Sequence, residues 1–175
     1  PHPEAAQKKE SPWCQCKECS AKETDDLFLE YIIWLATFLR SKGVDKVVLW
    51  DDQLSRRTAL LGDKFAKAIA GTELEGKLVL HWWSYNNEKL AEHLDPELAE
   101  KSGLSSWVAP MSCYYNWSNY VNKLPNIDKM MHFAESNKVR GAVTYGIHDP
   151  SHLDHEALLG LYGWESCVVA GPMEL

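Results

Sequence analysis

Apolar residues along the chain alternate between two periods. From Thr24, the positions Leu27, Tyr31, Trp34, Leu35, Phe38 and Leu39 recur at helical spacing. Thr24 is a good N-cap, Asp25 and Asp26 suit a helix first turn, and Gly43 closes the segment. Val44 to Trp50 follows, with an unbroken apolar run over Val47, Val48, Leu49 and Trp50, the pattern of a strand buried on both faces of a parallel sheet. The alternation then repeats. Ser55 to Ala70 reads as helix, with Leu61, Phe65, Ala68 and Ile69 on one side and Gly71 as its stop. Lys77 to Trp83 is the next strand, and Asn87 to Lys101 the next helix, interrupted near Asp95-Pro96. Trp107 to Cys113 is a third strand. Asn119 to Asn137 holds a helix whose start Pro125 moves to Asn126. Val139 to Tyr145 is a fourth strand, and Asp154 to Tyr162 a closing helix.

Val47, Leu78, Val108 and Ala142 mark the strands at intervals of roughly 30 residues, the length of one βα unit. The fold class is therefore α/β, built from parallel (β/α) units with right-handed crossovers. Residues 1–22 read as an irregular segment containing cysteines, and residues 23–175 as one (β/α)4 domain. Four units are the second half of a TIM barrel, which as a whole needs about 250 residues. An open doubly wound sheet of four or five strands is the alternative. No strand is followed by a Gly-rich phosphate fingerprint or by G-x-S-x-G.

Charge and composition narrow the classes. The 175 residues carry a formal net charge of −7 and no Lys/Arg cluster, which argues against nucleic-acid binding. No run of 18 apolar residues exists to span a membrane. No signal peptide begins the chain, and it opens at Pro1 without Met, as a processed, trimmed or incomplete chain does. Cysteines that look reduced favour the cytoplasm over secretion. Eight Trp and seven Tyr are many for this length.

In either architecture the site lies at the carboxyl ends of the strands. Those ends read Trp50-Asp51-Asp52-Gln53, then His81-Trp82-Trp83-Ser84-Tyr85-Asn86, then Ser112-Cys113-Tyr114-Tyr115-Asn116-Trp117, then Thr144-Tyr145-Gly146-Ile147-His148-Asp149. All four mix aromatic and polar groups, which suits a sugar. Pyranose C–H faces stack on Trp and Tyr, and the hydroxyls need several polar partners. The competing reading places Trp50 and Trp82 in the core. Asp51 and Asp52 are the strongest carboxylates for acid/base work or for orienting an amide, and adjacent strand residues face opposite ways, so one of them points into the site. One Asp capping the following helix is the plainer reading.

Cys14, Cys16 and Cys19 are three of five cysteines, and three sulfurs in six residues suit one structural Zn²⁺, with His2 or another group as fourth ligand. Reduced thiols or a disulfide are the alternatives. Cys113 and Cys167 read as small buried hydrophobes. His148, His152 and His155 have a spacing open to a metal, but a capped loop with solvated histidines explains them better. Asn116-Trp117-Ser118 matches a glycosylation acceptor, which at a site rim reads as a chance match.

These residues carry a resemblance. The stretch from Trp13 to Trp164 resembles the C-terminal half of a TIM-barrel glycoside hydrolase, and is most similar to the family 20 β-N-acetylhexosaminidases. The matching pieces are Val47-Val48-Leu49-Trp50-Asp51-Asp52, the strand ends at Trp82-Trp83 and Tyr114-Tyr115, and Gly141-Ala142-Val143-Thr144-Tyr145-Gly146 ahead of a helix ending Tyr162-Gly163-Trp164. The Cys-x-Cys-x-x-Cys before a long helix is similar to a motif in bacterial families of endo-acting N-acetylglucosaminidases. The resemblance implies a retaining, substrate-assisted mechanism, in which the 2-acetamido carbonyl attacks the anomeric carbon, an Asp orients that amide and a neighbouring Glu is the general acid. Tyr114 or Tyr115 matches the tyrosine that steadies the acetamido oxygen. No strand end carries the family's Asp-Glu pair, and its Trp-x-Glu is replaced by Thr144-Tyr145-Gly146-Ile147-His148.

The sequence thus reads as a glycosidase, or part of one, acting on N-acetylhexosamine glycans, with no cofactor for catalysis. Its catalytic candidates are Asp51, Asp52, Tyr114 and Tyr115. Its sugar-binding candidates are Trp50, His81, Trp82, Trp83, Tyr85, Asn116, Tyr145, His148 and Asp149. A half barrel leaves sheet edges open, so it is expected to dimerise or to pair with a complementary half. A non-catalytic carbohydrate-binding α/β protein and a small zinc-stabilised interaction domain are the competitors.

Overall fold

The structure, a computed structural model, describes residues 14, 16–112, 121–139, 141–144 and 152–169, with the side chains of the last helix described to residue 163. Tyr114, Tyr115, Asn116, Tyr145, His148 and Asp149 lie outside the described residues, as do His2, Cys113 and the side chain of Cys167.

The chain forms α1 (Lys17–Ser20), α2 (Thr24–Ser41), β1 (Val47–Trp50), a 3₁₀ turn (Asp51–Gln53), α3 (Asp63–Ile69), β2 (Leu78–Trp83), α4 (Pro96–Lys101), β3 (Ser105–Ala109), α5 (Leu124–Ser136) and α6 (Leu153–Val169). β1, β2 and β3 pair in that order and all in parallel, with Val47 opposite Leu78 and Val79 opposite Ser105. The expected fourth strand is reduced, among the described residues, to a parallel bridge between Val108 and Ala142. There the N–H of Val108 donates to Gly141 O at 2.8 Å, and the N–H of Val143 donates to Val108 O at 3.0 Å. The alternating α/β reading therefore stands, with consecutive strands adjacent.

The register places Val47, Leu49, Leu78, Leu80, Trp82 and Val108 on one face. Leu29, Ile32 and Ala36 of α2 and Phe65 and Ile69 of α3 share a core with the β1 and β2 members of this face. Ile127, Met130, Met131 and Ala134 of α5 pack around Val108. The other face carries Val48, Trp50, Val79, His81 and Trp107; Val79 and His81 on it are buried, whereas Val48 and Trp50 are exposed. A doubly wound sheet would have helices on both faces; the two described core clusters join α2, α3 and α5 to the first face.

Several boundaries differ from the sequence expectation, each for a local reason. Thr24 is the first helical residue of α2 rather than its cap, because Glu23 occupies the cap position and its carbonyl accepts from Asp26 N–H at 3.1 Å. On α2 the rings of Tyr31, Trp34 and Phe38 lie on the solvent side, Trp34 being 62% exposed. The helix expected from Ser55 starts only at Asp63, since Gly62 sits at φ 86°, a left-handed conformation that a helix cannot pass through. The helix expected from Asn87 is confined to Pro96–Lys101. Asn86 Oδ1 instead accepts from the N–H groups of Glu88 and Lys89 in a turn, at 2.7 and 3.2 Å, and Asp95 Oδ1 caps α4 through Leu98 N–H at 2.9 Å. β3 begins two residues earlier than expected and ends before Pro110, which has no N–H to continue the ladder. α5 begins at Leu124, with Pro125 accommodated in its first turn. Lys17–Ser20 adds a helical turn to the segment read as irregular.

Candidate functional site

Beyond the last ladder hydrogen bond, parallel strands separate, and their backbone groups need other partners. Here one polar side chain bridges each neighbouring pair of strand ends. Between β1 and β2, Asp51 Oδ1 accepts from Trp83 N–H at 3.0 Å. Between β2 and β3, Asn126 at the start of α5 accepts from Met111 N–H at 2.9 Å and donates to Ser84 O at 2.7 Å. Between β3 and the Gly141–Thr144 segment, Thr144 Oγ1 accepts from Ser112 N–H at 3.1 Å and donates to Pro110 O at 3.0 Å. Two lysines of α5 and its approach reach back to the loop after β2: Lys123 Nζ donates to Tyr85 O at 2.8 Å, and Lys129 Nζ to Asn87 O at 2.5 Å. The rim that the strand ends make is thus rigidly built.

Asp51 is the centre of this rim. Its residue is wholly buried. Its second oxygen, Oδ2, lies 2.8 Å from His93 Nε2, whose side chain is 31% exposed. The two atoms are not aligned as a hydrogen bond, and neither has another partner. Burial pushes the Asp51 carboxyl up to about 7, with the charge of Asp52 adding to the effect and the Trp83 N–H opposing it. His93 is pushed down, first by burial and then by the Arg56 charge. Both shifts disfavour charge, so below about pH 7 the favoured state is a neutral carboxyl beside a neutral imidazole. Asp52, half-buried, accepts from Gln53 Nε2 at 3.1 Å.

The aromatic candidates divide by face. Trp83 and Tyr85 are half-buried at the rim, with ring centroids 4.8 Å apart, and the edge of one ring meets the other between Trp83 and His93 at 6.1 Å. Trp50 is 50% exposed and lies over the His81 ring at 4.7 Å. His81 itself is buried, and its Nε2 lies 3.2 Å from Val108 O. It pins β2 to β3 beneath Trp50. Burial lowers its pKa. Trp82 corrects the sequence expectation more sharply. It is fully buried on the helix side, and its Nε1 donates to Ser106 Oγ at 3.0 Å. Adjacent strand residues point to opposite faces, so Trp82 and Trp83 cannot both face a sugar.

His155 also belongs to the framework. Its Nδ1 lies 2.6 Å from Ser112 O, and its Nε2 accepts from Lys123 N–H at 3.0 Å. Both ring nitrogens are occupied, Nδ1 as donor, so His155 is not available to a metal. The neighbouring His152 ring lies 5.4 Å away. The sequence pattern does not single out His93, Asn126 or Lys123 for the site, and it offers His155 only through a spacing open to a metal. His93 falls in a stretch with a helical pattern, and the others act through contacts formed 15 to 43 residues away in sequence.

A second cluster lies at the other end of the described chain. The sulfurs of Cys14, Cys16 and Cys19 all lie within 4.8 Å of one another, close enough to hold a metal ion. All three are free thiols. Hydrogen bonds with the Cys19 backbone and the neighbouring thiols bring Cys16 down to about 7, and the same thiol contacts raise Cys19 to about 11. Among the described residues, no helix is long and apolar enough to cross a membrane.

Compared with known proteins, the chain matches no family model, no curated protein and no solved structure.

Proposed function

We propose that this chain forms the sugar-binding, proton-transferring wall of a glycoside hydrolase acting on N-acetylhexosamine glycans, arranged as half of a TIM barrel. Consecutive parallel strands with helices on one face support the half-barrel arrangement. The observation that carries the reading is the buried Asp51 carboxyl, raised to about 7 beside His93 at the end of β1, with Trp50, Trp83 and Tyr85 around it. A glycosidic oxygen leaves only when protonated, and an acid that keeps its proton near pH 7 supplies that need.

The roles follow from exposure. Asp51 does not reach solvent, so it acts through His93, whose Nε2 lies 2.8 Å away and takes up its proton as the ring turns into line. His93 presents that proton to the leaving oxygen. The half-exposed Asp52 orients the acetamide, whose carbonyl attacks the anomeric carbon as the leaving oxygen is protonated. Trp50, Trp83 and Tyr85 offer the apolar faces on which a pyranose ring stacks. Tyr114 or Tyr115 would steady the acetamido oxygen, as the resemblance implies. A zinc ion at the cysteine cluster belongs to this reading as a staple, not as part of the chemistry.

Aryl N-acetyl-β-glucosaminide hydrolysis tests it. The chain is expected to release the aryl alcohol with a rate that falls as pH rises above about 7, and Asp51→Asn and His93→Gln each to lower that rate at least 100-fold. The full burial of Asp51 favours one second reading, a non-catalytic sugar-binding protein. Saturable sugar binding without any release of product would select it.

A further inference from the structure

We infer that Cys14, Cys16 and Cys19 form a three-thiolate site for one zinc ion, which anchors the segment ahead of α2. The inference does not depend on the glycosidase reading. Helix α1 has four residues, none of them buried, and its N-terminal Cys16 makes no side-chain cap. So short a helix does not hold itself together in water. Just after it, Lys22 Nζ pairs with Glu30 Oε1 of α2 at 2.7 Å, an exposed ion pair that contributes little. Yet this exposed turn gathers three sulfurs at one point.

Neither core packing nor a disulfide accounts for such a cluster. Thiols packed as small hydrophobes are buried, whereas Cys14 and Cys16 are exposed and Cys19 is only half-buried. A disulfide uses two sulfurs and gives the third no part, and none of the three is paired. Ligation uses all three. Cys16 precedes the helical turn and Cys19 sits on it, a spacing that turns both sulfurs to one side, and Cys14 closes the triangle from the chain before it. With Zn–S near 2.3 Å, a tetrahedral site sets its sulfurs about 3.8 Å apart, so ligation draws each edge in by at most about 1 Å. Soft thiolates select zinc over hard cations. No fourth His, Asp or Glu joins the group among the described residues, and His2, the fourth ligand the sequence offers, lies outside them.

Titration of the reduced full chain with Co²⁺, followed by Zn²⁺, tests the site. The expected result is sulfur-to-cobalt charge-transfer absorption that saturates at one equivalent and disappears as one equivalent of Zn²⁺ displaces the cobalt. Cys16→Ser and Cys19→Ser are each expected to weaken binding at least tenfold, the triple Cys14→Ser/Cys16→Ser/Cys19→Ser variant to abolish it, and the Cys113→Ser/Cys167→Ser pair to retain it. Far-ultraviolet dichroism checks that the variants fold, as expected for a cluster none of whose members is fully buried. Absence of the band in the reduced chain, or its survival in the triple variant, would overturn the inference.

Discussion

A carboxyl group taken out of water loses far more hydration when charged than when neutral, and Asp51 carries that cost at the end of β1. Its raised pKa makes a stability statement. The folded state binds a proton that the unfolded chain has released, so the contribution is fully present below about pH 4 and is lost as pH rises through about 7. The slope is at most about 1.4 kcal/mol per pH unit, and the whole effect at most about 4 kcal/mol. His93 works in the opposite sense. Its lowered pKa favours the folded state above about pH 6.5 and costs stability as pH falls below it. The substitution Asp51→Asn separates the two, because the amide oxygen can still accept from Trp83 N–H and no carboxyl remains to titrate. Its urea midpoint is expected to match that of the unsubstituted protein near pH 4.5 and to exceed it near pH 8. Parallel pH curves for the two proteins would show that the carboxyl is not held protonated in the fold.

On α2 the sequence shows two apolar stripes, and the period alone does not say which one is buried. Tyr31, Trp34 and Phe38 form a row of neighbouring rings, centroids 6.0 and 6.1 Å apart, on the outer side, while Leu29, Ile32 and Ala36 face the sheet. Ile32→Ala is therefore expected to cost about 2–5 kcal/mol in urea unfolding, and Trp34→Ala no more than about 0.5 kcal/mol. The reverse order would place the aromatic row in the core. The strands are more legible as strands than in their cover: the unbroken apolar run Val47 to Trp50 predicts a strand buried on both faces, and the strand forms, but Val48 and Trp50 on its second face are exposed. Element ends are less legible: Pro110 stops β3 by its missing N–H, and Gly62 delays α3 by its positive φ. Asp51 at the end of β1 is a candidate already in the sequence, whereas His93 is not, since it reaches Asp51 only because the loop after β2 folds back. Strand parity puts Trp82 and Trp83 on opposite faces, and the structure shows Trp82 to be the buried one.

At the scale of the molecule, one face of the sheet is sealed by helices and the other presents Val48, Trp50 and Val143, each more than a third exposed. On that open face Trp107 lies so close to Gly141 that a Cβ there would fall 2.1 Å from its ring. The sheet is thus tightly closed between β3 and the Gly141–Thr144 segment, and open over β1. The strand-end rim joins this open face at Trp50 and Trp83, which puts two tryptophans where a bound sugar would change their emission. Titration of tryptophan fluorescence with N-acetylglucosamine, with glucose as control, is the most direct measurement. A saturable change with the acetamido sugar, absent with glucose and lost in Trp83→Ala, is the expected result. A flat response to both sugars, or the same response in Trp83→Ala, would contradict a sugar site at the strand ends.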